Sequence, residues 1–327
     1  MRKYRLQCTP WDEDQYISSM QPPAKQTFYQ QVYDEYVQDG RVPSIIDPFT
    51  KIEKIKTSKY KAPRMIQARN PMFNIKYGRF IKALEHKLLS SRKNLHFGKG
   101  TQEQIAQKIH KLSTRYKYKT EGDHKTFDSH VTKEMKQAVH KYYLACYAHN
   151  RELRQLSRLT LNNKCRTKFG ERYRVEATVM SGDVDTSFGN CLINLSILQE
   201  MLNQLGIKGE AIVNGDDFVL FTNAPINTAQ AKVVLLTMNM ECDLMESQTS
   251  IEDVEFCRAK LVTLENGVRD MMIDPTKTVS TYGQTHHVHV DRLQYLKDLA
   301  ICHAHMQAST PVGFHWAKAF GIRIDPD

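Results

Sequence analysis

The sequence predicts an α+β fold: a small antiparallel sheet with acidic residues on one edge and helices behind it. Three observations lead there. The apolar runs Ala211-Ile212-Val213 and Phe218-Val219-Leu220-Phe221 flank Asn214-Gly215-Asp216-Asp217, the pattern of a β-hairpin with two carboxylates at its tip. The stretches Met135–Cys146 and Phe188–Leu202 repeat apolar residues at helical spacing. The segments run strand, helix, helix, hairpin, helix, strand, without the regular alternation of a parallel α/β sheet.

Residues 1 to about 40 read as an extension, with Pro10, Pro22 and Pro23 punctuating a short helical stretch around Phe28 to Val37. A lysine-studded run from 51 to 69 ends in Lys61-Ala62-Pro63-Arg64-Met65-Ile66-Gln67-Ala68-Arg69, where Pro63 favours an extended or edge segment. Residues 75–90 predict a helix with Phe80, Ile81, Leu84 and Leu88 on one side, and 101–112 predict another. Tyr116 to Glu121 predicts a strand, with Asp123 just past its end. Thr132 then caps a helix whose Met135, Val139, Tyr142 and Cys146 share a face. A polar, basic region runs to about 175. Met180-Ser181-Gly182 leads into the second long helix, capped by Thr186 and carrying Phe188, Cys191, Leu192, Leu195, Leu198 and Leu202 at helical spacing. A third helix from Asn227 to Met238 and strand-like residues from Val254 to Val262 complete the pattern.

With 327 residues, 41% of them hydrophobic, the chain can build one large or two to three small subdomains. Its formal net charge is +10, with a pI near 9.1, which suits a polyanionic partner. The excess is local: Arg41 to Lys119 holds 20 Lys+Arg against 4 Asp+Glu, so the remainder is net acidic. A solvated lysine-rich surface would explain the charge alone. A basic segment beside an acidic one also suits a protein that grips phosphates in one place and metal in another. Seven scattered cysteines without C-x-x-C spacing, and no leader-type N-terminus, lead us to expect a reduced intracellular compartment. No stretch approaches the ~20 apolar residues of a membrane span, and no repeat points to a solenoid.

The chemistry concentrates in carboxylates. Adjacent acids at a hairpin tip repel one another and gain nothing from packing; a hard divalent cation makes such an arrangement favourable. If the strand before Asp123 pairs with the hairpin, Asp123 faces Asp216. Together with Asp217 these acids could hold two Mg²⁺ ions about 4 Å apart, the arrangement that supports in-line phosphoryl transfer. Taken singly, Asp123 and Asp128 are equally well read as helix-entry acids favoured by the macrodipole. In Ser181-Gly182-Asp183-Val184-Asp185-Thr186-Ser187-Phe188-Gly189-Asn190 the glycine permits close approach of backbone to a ligand. Thr186 and Asn190 would lie on one helical face, able to hydrogen-bond a ribose. A capped helix with nothing bound is the bland alternative. His286-His287-Val288-His289, Cys302-His303-Ala304-His305 and Gly98-Lys99-Gly100-Thr101 fit no standard metal or phosphate-loop spacing, and Trp11 and Trp316 are too isolated for a stacking platform.

In chain order stand a Pro-Arg-x-Ile-Gln-x-Arg segment, Asp-x4-Asp, Ser-Gly-x3-Thr-x3-Asn, Gly-Asp-Asp and Phe256-Cys257-Arg258-Ala259-Lys260. This series, over roughly residues 51–262, resembles the RNA-dependent RNA polymerases of positive-strand RNA viruses, most closely the tombusvirus-like group. The resemblance implies a right-hand polymerase with an antiparallel palm sheet backed by helices. Its parts would be an N-terminal extension (1–40), fingers (41–115, with a basic strand at 51–69), palm (116–149), a fingers insertion (150–178), palm again (179–262) and a reduced thumb (263–327). It implies that Asp123 and Asp216 bind Mg²⁺ (or Mn²⁺), two ions in all, with Asp217 supporting. Asp128 and Asn190 would sense the ribose. Ser181, Gly182 and Thr186 would support template and sugar; Lys61, Arg64 and Arg69 would lie over the triphosphate; Arg258 and Lys260 would lie near the priming strand. The implied partners are an RNA template and product strand, nucleoside triphosphates and other replication proteins completing the small thumb. The implied place is the cytoplasm of an infected host cell, with any membrane recruitment through partners. A reverse transcriptase or other palm-type polymerase, and a non-catalytic RNA-binding protein of the same fold, are the alternatives. Two departures stand out. Asn239 through Cys257 contains no Lys, Arg or His to protonate pyrophosphate, Lys232 lying inside the preceding helix, and the thumb is short.

Overall fold

The computed structural model describes residues 1–37, 42–53 and 62–324. Two helices, α1 (Glu13–Ser18) and α2 (Pro23–Val37), precede strands β1 (Ile46–Thr50) and β2 (Met65–Arg69), then helices α3 (Pro71–Leu89) and α4 (Gln102–Ser113). Strand β3 (Tyr118–His124) runs through a single helical turn, α5 (Phe127–His130), into α6 (Lys133–Cys146) and α7 (Arg151–Leu159). The hairpin β4 (Asn162–Arg166) and β5 (Arg172–Glu176) leads to α8 (Thr186–Gln204), and the hairpin β6 (Gly209–Asn214) and β7 (Asp217–Thr222) to α9 (Thr228–Thr237) and β8 (Cys242–Leu244). Strands β9 (Glu255–Phe256), β10 (Ala259–Thr263) and β11 (Arg269–Ile273) come next, followed by helices α10 (Pro275–Thr281), α11 (Arg292–Met306) and α12 (Pro311–Phe320).

Mixed α+β architecture is thus what the chain adopts, with two four-stranded sheets that matter for function. The first, in order β6-β7-β3-β8, is antiparallel and carries the predicted hairpin. The second, β2-β1-β4-β5, lies at a distance in sequence and is antiparallel except for one parallel bridge between β1 and β4. A three-stranded sheet, β11-β10-β9, packs beside α4.

The main core forms where α3, α6 and α8 meet the first sheet. Helix α8 is buried nearly all round, which explains its apolar residues on every side. Phe188 is fully buried with the Phe97 and Tyr143 rings 6.2 and 6.1 Å away. Burial of a side chain of that size contributes about 1.5–3 kcal/mol. The first residues belong to this core rather than trailing from it. Tyr4 and Cys8 are buried, the Cys8 amide donates to the Cys146 carbonyl at 2.9 Å, and Tyr142 Oη donates to the Tyr4 carbonyl at 3.0 Å.

Several local expectations need correction. Strand β3 runs through Asp123 to His124, so Asp123 is inside the ladder, not beyond it. Asn214 ends β6, leaving Gly215 and Asp216 as the turn. Only Gly215 takes positive φ (+67°), the pattern of a two-residue turn with glycine first. The region before residue 175 holds α7 and the β4–β5 hairpin, not only polar loop. Helix α8 is entered through Asp185, whose side chain makes no capping bond; Thr186 is its first residue and donates to the Met180 carbonyl at 2.7 Å.

Candidate active site

Strand β3 is central in the first sheet, and its register decides what Asp123 meets. Asp123 lies directly opposite Asp217 on β7 and directly opposite Asp243 on β8. Directly opposed residues of an antiparallel pair project to the same face with Cα atoms about 4.5–5.5 Å apart, and like charges there repel. The expected partner Asp216 is instead in the turn, exposed, one residue beyond the pair. Its charge still reaches its neighbours. Asp217 is pushed up to about 6, first by burial, then by Asp216 and Asp123. Asp123 is raised by burial, by Asp216 and by Asp243, with Arg258 opposing. Burial and crowding of like charge both disfavour the charged carboxylate, and a bound cation would favour it.

The hairpin tip is held from behind. Asn194, buried on α8, donates from Nδ2 to the Gly215 carbonyl at 2.9 Å and to the Asp216 carbonyl at 3.3 Å. Its Oδ1 lies 3.0 Å from His124 Nε2, which therefore carries the proton in that pair. Burial between the Phe127 and Phe218 rings lowers the His124 pKa and keeps the ring neutral. The Gly215 amide donates to Cys191 Sγ at 3.2 Å. On the other side, burial pushes the Cys257 thiol up to about 12, so it stays protonated; it receives a bond from Asn214 Nδ2 at 3.4 Å and makes one with Asp217. Cys257 and Arg258 form the β9–β10 turn, both with positive φ (50° and 65°). The Glu255 amide donates to Glu121 Oε2 at 2.6 Å, fixing that turn against β3. Arg258 accordingly lowers both Asp123 and Asp217. Lys260 is exposed on β10.

Asp128 and Asn190 meet. Asn190 Nδ2 donates to Asp128 Oδ1 at 2.7 Å, while Asn190 Oδ1 is buried without a partner among the described residues. Burial raises the Asp128 pKa against the effect of that bond. The loop before α8 is docked on β2. Ser181 Oγ accepts from the Gln67 amide at 3.0 Å, and the Gly182 amide donates to the Gln67 carbonyl at 3.1 Å. A Cβ on Gly182 would lie 2.6 Å from that carbonyl oxygen and 2.7 Å from Ala68 Cα, so only glycine lets the two backbones approach.

The basic residues expected over the triphosphate separate. Lys61 lies outside the described residues. Arg64 is exposed, forks onto the Glu53 carboxylate, and feels the charge of Asp216. Arg69 is buried: it is ion-paired with Asp183, and donates to Asn163 Oδ1 at 2.6 Å and to the Ser44 carbonyl at 2.9 Å. Its donors are engaged, so as it stands it joins β2 to the Ser181–Asp183 loop and does not face phosphate.

The sequence reading missed three participants. Asp243 sits on a three-residue strand, too short to show periodicity. Lys125 reaches the base-free segment from outside, its Nζ 2.8 Å from Glu241 and 3.4 Å from Asp243. Asn194 was visible only as a polar residue on an apolar helix, which is the signal that could have found it.

The carboxylates suit a hard cation by donor chemistry. Among the described residues, though, no three His, Cys, Asp or Glu side chains already surround a point that could hold a metal ion. The expected convergence of Asp123, Asp216 and Asp217 is present as adjacency on one sheet edge, not as a closed ligand shell.

A family model described as viral RNA dependent RNA polymerase matches residues 2–322, so the chain belongs to that family. Among curated relatives, it is similar to the RNA-directed RNA polymerase of Tomato bushy stunt virus (strain Cherry), 33% identical over 241 residues, covering 68% of this chain and 29% of that protein. It is likewise similar to those of Turnip crinkle virus (32% identical over 266 residues, covering 76% of this chain and 34% of the relative) and Oat chlorotic stunt virus (28% over 305, covering 86% and 40%). The chain therefore spans well under half the length of these relatives.

Proposed function

We propose that this chain synthesises RNA on an RNA template from nucleoside triphosphates, as part of viral genome replication. The observation that carries the reading is Asp123 set in register between Asp217 and Asp243, with Asp216 at the adjoining tip. Four carboxylates on one sheet edge, two of them with raised pKa, form an arrangement that only cations make favourable. Asp123 and Asp216 would hold two Mg²⁺ or Mn²⁺ ions, with Asp217 supporting. Such ions supply charge neutralisation of the triphosphate and activation of the attacking hydroxyl.

The chain's own residues supply position. His124 and Asn194 fix the backbone of the tip, and Cys257 orients the Asp217 carboxylate. In the Asp128–Asn190 pair the half-buried Asp128 carboxylate, held by Asn190, is an acceptor for a ribose 2′-hydroxyl. That pair favours a ribonucleotide polymerase over a reverse transcriptase. Arg64, in the field of Asp216, would exchange its Glu53 partner for the triphosphate.

In this reading residues 41–115 and 150–178 are fingers, 116–149 and 179–262 palm, and 263–327 belong to the thumb, with 1–40 as an N-terminal extension. The thumb exposes Leu293 and Phe314 (64% and 61%), in keeping with completion by another replication protein. The chain would act in the cytoplasm of an infected host cell. No helix among the described residues is long and apolar enough to cross a membrane. Primer extension on an RNA template with Mg²⁺ or Mn²⁺ tests the assignment. Wild type should extend, and Asp216→Asn should bind RNA yet extend it at least about a thousandfold more slowly. Binding without extension by both proteins would favour the non-catalytic alternative.

A further inference from the structure

The second sheet has two unlike faces. Ile46, Cys165 and Met180 are buried on one, with Tyr173 and Val175 packed against them. Alternation along β4 and β5 turns Lys164, Arg166, Arg172 and Arg174 to the other, exposed face. The register then places Lys164 directly opposite Arg174, and Arg166 directly opposite Arg172. Two successive like-charged pairs weaken a ribbon that gains nothing from them internally. Among the described residues none of the four cations has a carboxylate within ion-pair distance. Of the nearby acids, Glu176 is engaged with Lys133 and Glu171 with the Thr167 hydroxyl, while Asp47, exposed on the neighbouring β1, forms no ion pair with the four among the described residues. At the ribbon's tip the Lys168 ammonium lies 5.0 Å from the centre of the Phe169 ring, and Phe169 is 82% exposed.

We propose that the β4–β5 ribbon is a docking arm for single-stranded RNA, its paired cations taking backbone phosphates and Phe169 stacking on a base. Three of the four paired cations are arginines, whose planar fork matches phosphate oxygens, and an exposed aromatic beside a cationic track is the equipment for a strand with unpaired bases. The ribbon is also in line with the site. It forms one edge of the sheet β2-β1-β4-β5, and the opposite edge, β2, is bonded to Ser181 and Gly182 ahead of α8. At about 4.8 Å per strand, the face between them is roughly 15–20 Å across. That the polyanion is RNA rests on the polymerase reading; the unpaired cation pairs do not.

The test is equilibrium binding of the full chain to a fluorescently labelled single-stranded RNA, in EDTA so that catalysis plays no part, across a salt series. Lys164→Ala/Arg166→Ala/Arg172→Ala/Arg174→Ala should weaken binding tenfold or more at about 100 mM salt and flatten the log–log salt slope by roughly 2–3, at about 0.7 per lost phosphate contact. Thermal stability should hold or rise, because two repulsive pairs are gone; a merely structural ribbon would lose it. Arg166→Ala/Arg172→Ala, the milder variant should the fourfold one not fold, should weaken binding about threefold and flatten the slope by about 1.4. Phe169→Ala should weaken binding with the slope unchanged. Binding within twofold of wild type in the folded cation variants overturns the proposal. So does ribbon-dependent binding to phosphatidylserine vesicles with RNA binding unaffected. Ribbon-dependent RNA binding by a chain that never extends a primer would sustain the arm and sink the polymerase reading instead.

Discussion

The two four-stranded sheets carry opposite charge, and each places like charges directly across a strand boundary. In the first, Asp123 is flanked by Asp217 and Asp243; in the second, Lys164 and Arg166 face Arg174 and Arg172. Cross-strand repulsion of this kind lowers the stability of both sheets, so neither pattern is explained by folding. Asp123, Asp216 and Asp243 are exposed, as is the basic ribbon; Asp217 alone is half-buried, and burial together with Asp216 and Asp123 lifts it to about 6. The difference teaches where each charge belongs. Carboxylates crowded at one point suit small, hard cations, and cations strung along an exposed ribbon suit a long polyanion. A buried seam ties the second sheet to the loop before α8: Arg69 of β2, Asp183 of the loop, and Asn163 of β4.

That comparison can be broken at each of its parts. The largest effect is expected at the acidic edge, where Asp216→Asn removes extension while leaving RNA binding intact. Next comes the seam. Arg69→Ala leaves Asp183 buried beside only Lys136, 3.7 Å away, and should cost about 3–5 kcal/mol by denaturant unfolding. A loss below about 1 kcal/mol would mean that the seam does not hold the loop before α8 to the second sheet. Asp128→Ala should reduce discrimination against 2′-deoxynucleotides by about tenfold in competition assays, the value of one charge-assisted hydrogen bond. Undiminished discrimination would return Asp128 to the role of a helix-entry acid.

The smallest effect is a pH dependence. Asp217 holds its proton more tightly folded (about 6) than an ordinary aspartate (3.8), so its stabilising contribution is complete below about 4 and lost as pH rises through 6. With EDTA present, wild type should therefore lose stability relative to Asp217→Asn between pH 4 and 7, by about 1 kcal/mol after solvent screening. Parallel pH profiles for the two proteins would show that the acidic edge is not under repulsion.

Much of the acidic edge was legible in the sequence, because hairpin and helix signals are local. Gly-Asp-Asp between apolar runs announced β6 and β7, and the apolar spacing from Phe188 to Leu202 announced α8. Register was not legible. Gly122, Asp123 and His124 are poor strand formers, so β3 seemed to end before Asp123, and tertiary pairing with β7 and β8 overrode that preference. Arg69 looked like a phosphate ligand because its buried partner, Asp183, lies 114 residues away. The ribbon's period-two pattern (Asn163 and Cys165 inward on β4, Tyr173 and Val175 on β5) was present, but the interleaved cations gave the segment the look of a polar loop.

The central claim is that Asp123, Asp216 and Asp217 draw divalent ions to one sheet edge. Anomalous diffraction from crystals soaked in Mn²⁺ tests it most directly. The account predicts manganese peaks bounded by the carboxylates of Asp123 and Asp216, with Asp217 within reach. Peaks elsewhere, or an empty edge at saturating Mn²⁺ above pH 7, would contradict it.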